Sequence, residues 1–179
     1  MSTVIHLNHD QLVEGLPEIA AASSDEGKLE MIARRPVTDE RELLDEAELS
    51  VEVGLVGDNW SQGKANRDCQ LTLMNSRAAQ LVAQSRDRWA LAGDQLYVDF
   101  DIGEVNLPAG TRVAIGDQAV VEVTAEPHTG CSKFISRFGL DAMKFVNSPS
   151  GRALNLRGIN TTIVQGGVIR VGDTIRKIS

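Results

Sequence analysis

The sequence predicts a mainly β protein, an antiparallel barrel decorated with short helices. Three observations carry this expectation. Short β-branched runs dominate from Thr111 onward. Gly-Asp dipeptides at 57–58, 93–94, 116–117 and 172–173 mark corners between such runs. No strand–helix–strand rhythm runs through the chain, which argues against a doubly wound sheet.

At 179 residues the chain suits one domain, residues 1–179, whose core needs no disulfide or metal staple. An apolar fraction of 42% excludes a disordered chain. No apolar run approaches the roughly 18 to 20 residues of a membrane span. The opening stretch from Met1 to Leu12 lacks the basic and apolar regions of a signal peptide. Cys69 and Cys131 lie far apart without patterned spacing, as expected in a reducing compartment, so the expected location is the cytoplasm.

Taken in order, Leu12, Val13, Leu16 and Ile19 fall at helical spacing, and Pro17 splits them into two short helices. Lys28 to Ala33 reads as a strand. Thr38, followed by Asp39 and Glu40, reads as the N-cap of a helix to about Leu49. Ser50 to Val56 returns to a strand pattern, and Asn59 to Asp68 is a polar loop. Gln70 to Met74 is a short strand, and Ser76 to Gly93 is one or two helices. Gln95 to Asp101 alternates, with Leu96, Val98 and Phe100 on one face. Thr111–Ile115 and Gln118–Ala125 flank Gly116-Asp117 as a hairpin. The stretch from Asn160 to Ile178 repeats that logic around Gly166-Gly167 and Gly172-Asp173. The barrel is therefore placed at about residues 50–178, with an acidic extension, 1–49, packed on it.

The net charge of −7 argues against nucleic-acid binding, but its distribution says more. Met1 to Asp58 carries 14 acids against four bases. Pro127 to Asn160 carries five bases (Lys133, Arg137, Lys144, Arg152, Arg157) against Asp141 alone. Two readings stay open: a focused site for a small anion, or pairing of these bases with the acidic half across the fold.

The segment Glu126-Pro127-His128-Thr129-Gly130-Cys131-Ser132-Lys133-Phe134 holds the chemistry. Ser132 to Phe138 reads as a helix closed by Gly139, which puts Cys131 at a helix N-terminus. There free backbone N–H groups, His128 and Lys133 would stabilise a thiolate, a nucleophile and soft-metal ligand. A small buried apolar cysteine is the competing reading. His128 is either a proton donor beside the thiol or a hydrogen-bonded loop histidine. Asp58 is either a pocket acid or a corner residue bonding its own backbone. Cys69 reads as structural, and Trp60 and Trp89 as core or rim anchors.

Five pieces in order resemble the motifs of the MOSC domain, the C-terminal module of molybdenum cofactor sulfurases. They are Gly54-Leu55-Val56-Gly57-Asp58, Gly103-Glu104-Val105-Asn106-Leu107, Cys131 with Lys133, Arg157-Gly158, and the ending Gly167 to Asp173. The resemblance implies a MOSC-type barrel and makes Cys131 the molybdenum-ligating or sulfur-carrying position. It carries Glu104 and Asn106 over to the pocket-lining element, here with Val105 inserted, and Arg157 to the entry of the penultimate strand. Two departures stand out. Asn59-Trp60 follows Gly57-Asp58 where many relatives have a histidine, and Gly130 precedes Cys131 where many have proline.

A pterin phosphate requires guanidinium or ammonium partners, for which Lys133, Arg137, Arg152 and Arg157 are the candidates; Asn106, Glu104 and Asp58 complete the expected cofactor set. The resemblance thus implies a molybdenum cofactor bound through Cys131; His128, three residues before it, is the candidate proton donor on position alone. The expected function is an oxidoreductase that reduces N-hydroxylated small molecules and is fed by a redox partner protein. A family-level association with pyridoxal phosphate binding comes with it. Two alternatives remain: a persulfide sulfur carrier using Cys131, and a non-catalytic barrel that binds an anion or a partner.

Overall fold

The computed structural model describes residues 3–179. Two short helices, α1 (His9–Glu14) and α2 (Leu16–Ala20), open it, and Asn8 caps α1 through a reciprocal pair with Gln11. Four strands follow: β1 (Glu26–Arg34), β2 (Glu42–Leu44), β3 (Glu46–Ser50) and β4 (Gly54–Leu55). After two 3₁₀ turns come β5 (Leu71–Asn75), α3 (Ser76–Ala83), a 3₁₀ stretch at Arg86–Ala92, β6 (Leu96–Asp99), β7 (Arg112–Ile115) and β8 (Ala119–Val123). Three helices, α4 (Ser132–Phe138), α5 (Leu140–Asn147) and α6 (Pro149–Ala153), lead into β9 (Ile159–Gln165), β10 (Gly167–Arg170) and β11 (Thr174–Lys177).

Seven strands close into a barrel in the order β1-β6-β5-β9-β8-β7-β11, with β11 returning to β1. Every pair in the ring is antiparallel except β5 with β6, which α3 and the 3₁₀ stretch connect as a crossover. The mainly β barrel with peripheral helices expected from the corners and β-branched runs is what forms. The small sheet β10-β3-β4 lays Ala47, Leu49, Leu55 and Ile169 against the barrel interior.

The wall strands under the helices, β1, β5 and β6, are buried on both faces over most of their length, and the period of two sorts their residues. On β6, Leu96 and Val98 point into the barrel, while Tyr97 points into a second core beneath the helices. On β5, Leu71 and Leu73 point inward and Met74 outward. On β1 the pairing with β6 slips between Leu29 and Met31, so Leu29 and Ile32 face in while Met31 and Ala33 face the helices. A bulge of this kind exchanges the faces of a strand.

The structure departs from expectation in three places. Residues 38–49 are not helical. Asp39 takes a left-handed conformation (φ 65°), and β3 alternates buried Ala47 and Leu49 with exposed Glu46 and Glu48. Pairing with β10 overrides the helix propensity of a Glu-rich segment. β9 and β10 do not form a hairpin with each other: β9 lies between β5 and β8, and β10 leaves for the small sheet. The barrel also starts before residue 50, because β1 is one of its seven walls.

Candidate functional site

Cys131 is the N-cap of α4, at the end of the loop that leaves β8, and Gly139 closes that helix in a left-handed conformation. The loop is fixed to α5: Gly130 donates its N–H to Asn147 Oδ1 (2.9 Å), and Asn147 Nδ2 donates back to the Gly130 carbonyl (3.2 Å). A proline at 130 would have no N–H to give, so this bond disfavours proline there. The thiol is exposed and makes no capping hydrogen bond of ordinary geometry. Its pKa nevertheless falls below the ordinary thiol value. The Phe134 N–H facing the sulfur is the main cause, partial burial opposes it, and the Lys133 N–H, Arg157 and Arg137 add to the lowering. Cys69 shifts the other way, raised by burial and by Glu126 and Asp68.

Beside α4 lies an arginine cluster built on the end of the 3₁₀ stretch. Four consecutive carbonyls each accept from a different guanidinium: Ala90 from Arg41 (3.1 Å), Leu91 from Arg137 (2.7 Å), Ala92 from Arg157 (2.7 Å) and Gly93 from Arg35 (3.4 Å). A Cβ on Gly93 would lie 3.6 Å from Arg41 and 3.9 Å from Arg137. With Lys133, five cations meet three carboxylates: Asp58 on Arg35, Asp94 on Arg157, and the exposed Asp39 at 3.5 Å from both Lys133 and Arg137. Arg41 has no carboxylate partner among the described residues, and burial, followed by Arg137 and Arg35, lowers its pKa. This surface holds an uncompensated positive charge next to a thiol that favours ionisation.

Behind the cluster, Asp94 is fully buried and bridges two functional candidates. Its Oδ2 accepts from Arg157 Nη1 (2.5 Å), and its Oδ1 lies 2.8 Å from His128 Nε2. A carboxylate can only accept, so Nε2 carries the proton and Nδ1 is left without a protein partner among the described residues. Burial alone would raise the Asp94 pKa. Arg157 and His128 outweigh it and hold the carboxyl below its usual range. Gly158 makes the meeting possible: at φ 120°, a Cβ there would stand 2.6 Å from the Leu73 carbonyl and 2.9 Å from the His128 ring. Arg157 also stacks over Phe134 at 5.2 Å, tying this network to the helix that carries Cys131.

His128 and Arg157 also line a cavity of about 310 Å³, together with Glu104, Leu107, Arg152 and Asn160; Cys131 is outside its lining. The residues singled out in the sequence thus divide. Cys131, Lys133, Arg137 and Arg157 come together at the arginine cluster. Glu104 and Arg152 belong to the cavity, where His128 joins them. Asn106 serves neither. Its Nδ2 donates to the Ser24 and Asp101 carbonyls, and Lys177 covers its Oδ1. Asp58 is buried under Arg35, accepts from Gln95 and caps the turn at Trp60, so its carboxylate is fully engaged. Trp60 Nε1 pins the Asn66 carbonyl, and Trp89 is buried against Gln80. Among the described residues, pairing of the basic stretch with the acidic half is confined to Asp39.

Three participants escaped the sequence reading. Asp94 looked like the other Gly-Asp corners. Arg35 and Arg41 sat in a segment read as a strand end and a helix. The chain contains no helix long and apolar enough to cross a membrane among its described residues.

No family model matches the chain, and no curated protein matches it. Solved structures do. YuaD from Bacillus subtilis superposes with a TM-score of 0.59 at 15% identity, over 84% of this chain and 94% of that one. YiiM from Escherichia coli gives 0.56 at 19% identity, over 85% and 70%. A hypothetical protein gives 0.60 at 19%, over 86% and 68%. At such identities the likeness concerns the fold. This chain is therefore a barrel of the same fold as YuaD and YiiM.

Proposed function

We propose that the protein is a MOSC-family oxidoreductase that binds a molybdenum cofactor beside Cys131. The observation that carries this reading is the arginine cluster: a positive surplus on consecutive backbone carbonyls, next to an exposed thiol of lowered pKa. No three His, Cys, Asp or Glu side chains converge on a metal position among the described residues. A metal here would therefore bring most of its ligands on a cofactor, which suits a pterin dithiolene. The residues fit such a group: Cys131 would supply one thiolate, and Arg41, Arg137 and Lys133 would supply donors for a phosphate.

When bound, the cofactor supplies two-electron oxo-transfer chemistry, with reduction of an N-hydroxylated compound as the reaction and a separate protein as electron donor. The chain's own contribution is positional. Arg157 is held by Asp94 and the Ala92 carbonyl, so its guanidinium is fixed in place near the thiol. Asn147 holds the loop before Cys131, and His128 holds a proton at Nε2 against Asp94.

The test is metal analysis of protein from a host that makes molybdenum cofactor, comparing wild type, Cys131→Ala and Arg41→Ala/Arg137→Ala. The proposal expects near-stoichiometric molybdenum in the wild type and loss in both variants. Molybdenum retained at full occupancy in Cys131→Ala would sink the ligand assignment. The exposure of Cys131 also supports a persulfide carrier. That reading expects one added sulfur on Cys131 after incubation with a cysteine desulfurase, and no molybdenum.

A further inference from the structure

The cavity of about 310 Å³ is a candidate site in its own right, because its wall is the loop before Cys131 and the thiol lies outside it. That volume is at the small end of ligand pockets, enough for a single ring or a short branched chain. Its sides are apolar: Leu107, Val123, Val146 and Ile159 are each at most 5% exposed. Its polar groups include unpaired acceptors, with the buried Arg157 Nε as an unpaired donor beside them. Asn160 is 4% exposed, and its Nδ2 is committed to the Glu126 and Pro127 carbonyls, which leaves Oδ1 with no donor among the described residues. Asn155 is in the same position, with Nδ2 given to the Ile102 carbonyl.

The charge balance points the same way. Glu104 and Glu126 line the cavity and form no ion pair among the described residues. Opposing them is Arg152, while the charge of Arg157 is already matched by Asp94. Free carboxylates and amide oxygens around apolar walls complement a group that carries several N–H donors and a positive charge. An alkylammonium has three donors and no acceptor. An anion would find Arg152 but would also face two carboxylates.

We propose that this cavity binds a small organic ammonium ion with an apolar body, separately from whatever Cys131 holds. The test uses the full chain produced in a host that makes no molybdenum cofactor, so that the outcome is independent of the cofactor proposal. Benzylamine, protonated at neutral pH, is titrated against ¹⁵N-labelled protein, with benzoate as the anionic control. Saturable shifts are expected at the amides of Thr129, Gly151 and Gly158 with benzylamine and not with benzoate. Glu104→Gln/Glu126→Gln, both at exposed positions, should keep the wild-type melting temperature and weaken benzylamine binding by about tenfold. Benzoate binding as tightly as benzylamine, no saturable shift with benzylamine, or unchanged affinity in the double variant would each overturn the proposal.

Discussion

Replacing Asp94 with asparagine keeps the side-chain shape and removes one buried charge. Asp94 is fully buried between Arg157, itself 7% exposed, and His128. Removing one partner of a buried ion pair leaves the other uncompensated, which costs about 3–5 kcal/mol. Against a total stability of about 5–15 kcal/mol, that is a large fraction. With a urea slope of about 2 kcal/mol per molar, a loss of about 4 kcal/mol lowers the midpoint by about 2 M. Asp94→Asn combined with Arg157→Met should then lose less than the sum of the two single variants, because neither charge is stranded in the double. The pH dependence has a definite sign. The Asp94 pKa is depressed in the folded protein, so its contribution is full above the unfolded value of about 3.9 and is lost as pH falls through the folded value. The gap between wild type and Asp94→Asn should therefore persist at neutral pH and close below about pH 4. A midpoint change under about 0.5 M, or additive single variants, would refute the account of Asp94 as the joint of this network.

Other outcomes follow from the same geometry. Cys131 should react with iodoacetamide at neutral pH well before Cys69, since one thiol pKa is lowered and the other raised; mass spectrometry of digested protein reads this directly, and faster labelling of Cys69 would contradict it. Gly158→Ala should destabilise by about 2–4 kcal/mol, seen as a fall in the thermal midpoint, because its Cβ would strike the Leu73 carbonyl and the His128 ring. Tyr97→Phe should change stability by less than about 1 kcal/mol, since the buried hydroxyl has no hydrogen-bond partner among the described residues; a large loss in calorimetry would mean that it has one.

Local signals in the sequence carried the elements that depend on local chemistry. Pro17 divides the first helices, Gly139 ends the helix that Cys131 begins, and Leu96, Tyr97 and Val98 alternate between two cores as their spacing implies. What the sequence left hidden depends on partners far away in the chain. Residues 42–50 are strands because β1 and β10 present free edges to them, not because of their own propensity. Asp94 joins Arg157 across 63 positions, and Arg41 reaches Ala90 across 49. No periodicity reports such a meeting. Asn106 illustrates the converse: a motif position that the fold spends on the Ser24 and Asp101 carbonyls.

The run of carbonyls from Ala90 to Gly93 has a consequence for how durable the positive surface is. Arginines neutralised by aspartates become more cationic as acid protonates their partners, and their net charge varies with conditions. Main-chain oxygens cannot be protonated in the working range and bear only partial charge, so they orient the four guanidinium groups without cancelling them; Asp58 and Asp94 match Arg35 and Arg157, which leaves the surplus on Arg41, Arg137 and Lys133, opposed by Asp39. The backbone acts as a neutral scaffold for a standing positive potential, and an arriving phosphate finds the donors already aimed and no carboxylate on Arg41 to displace.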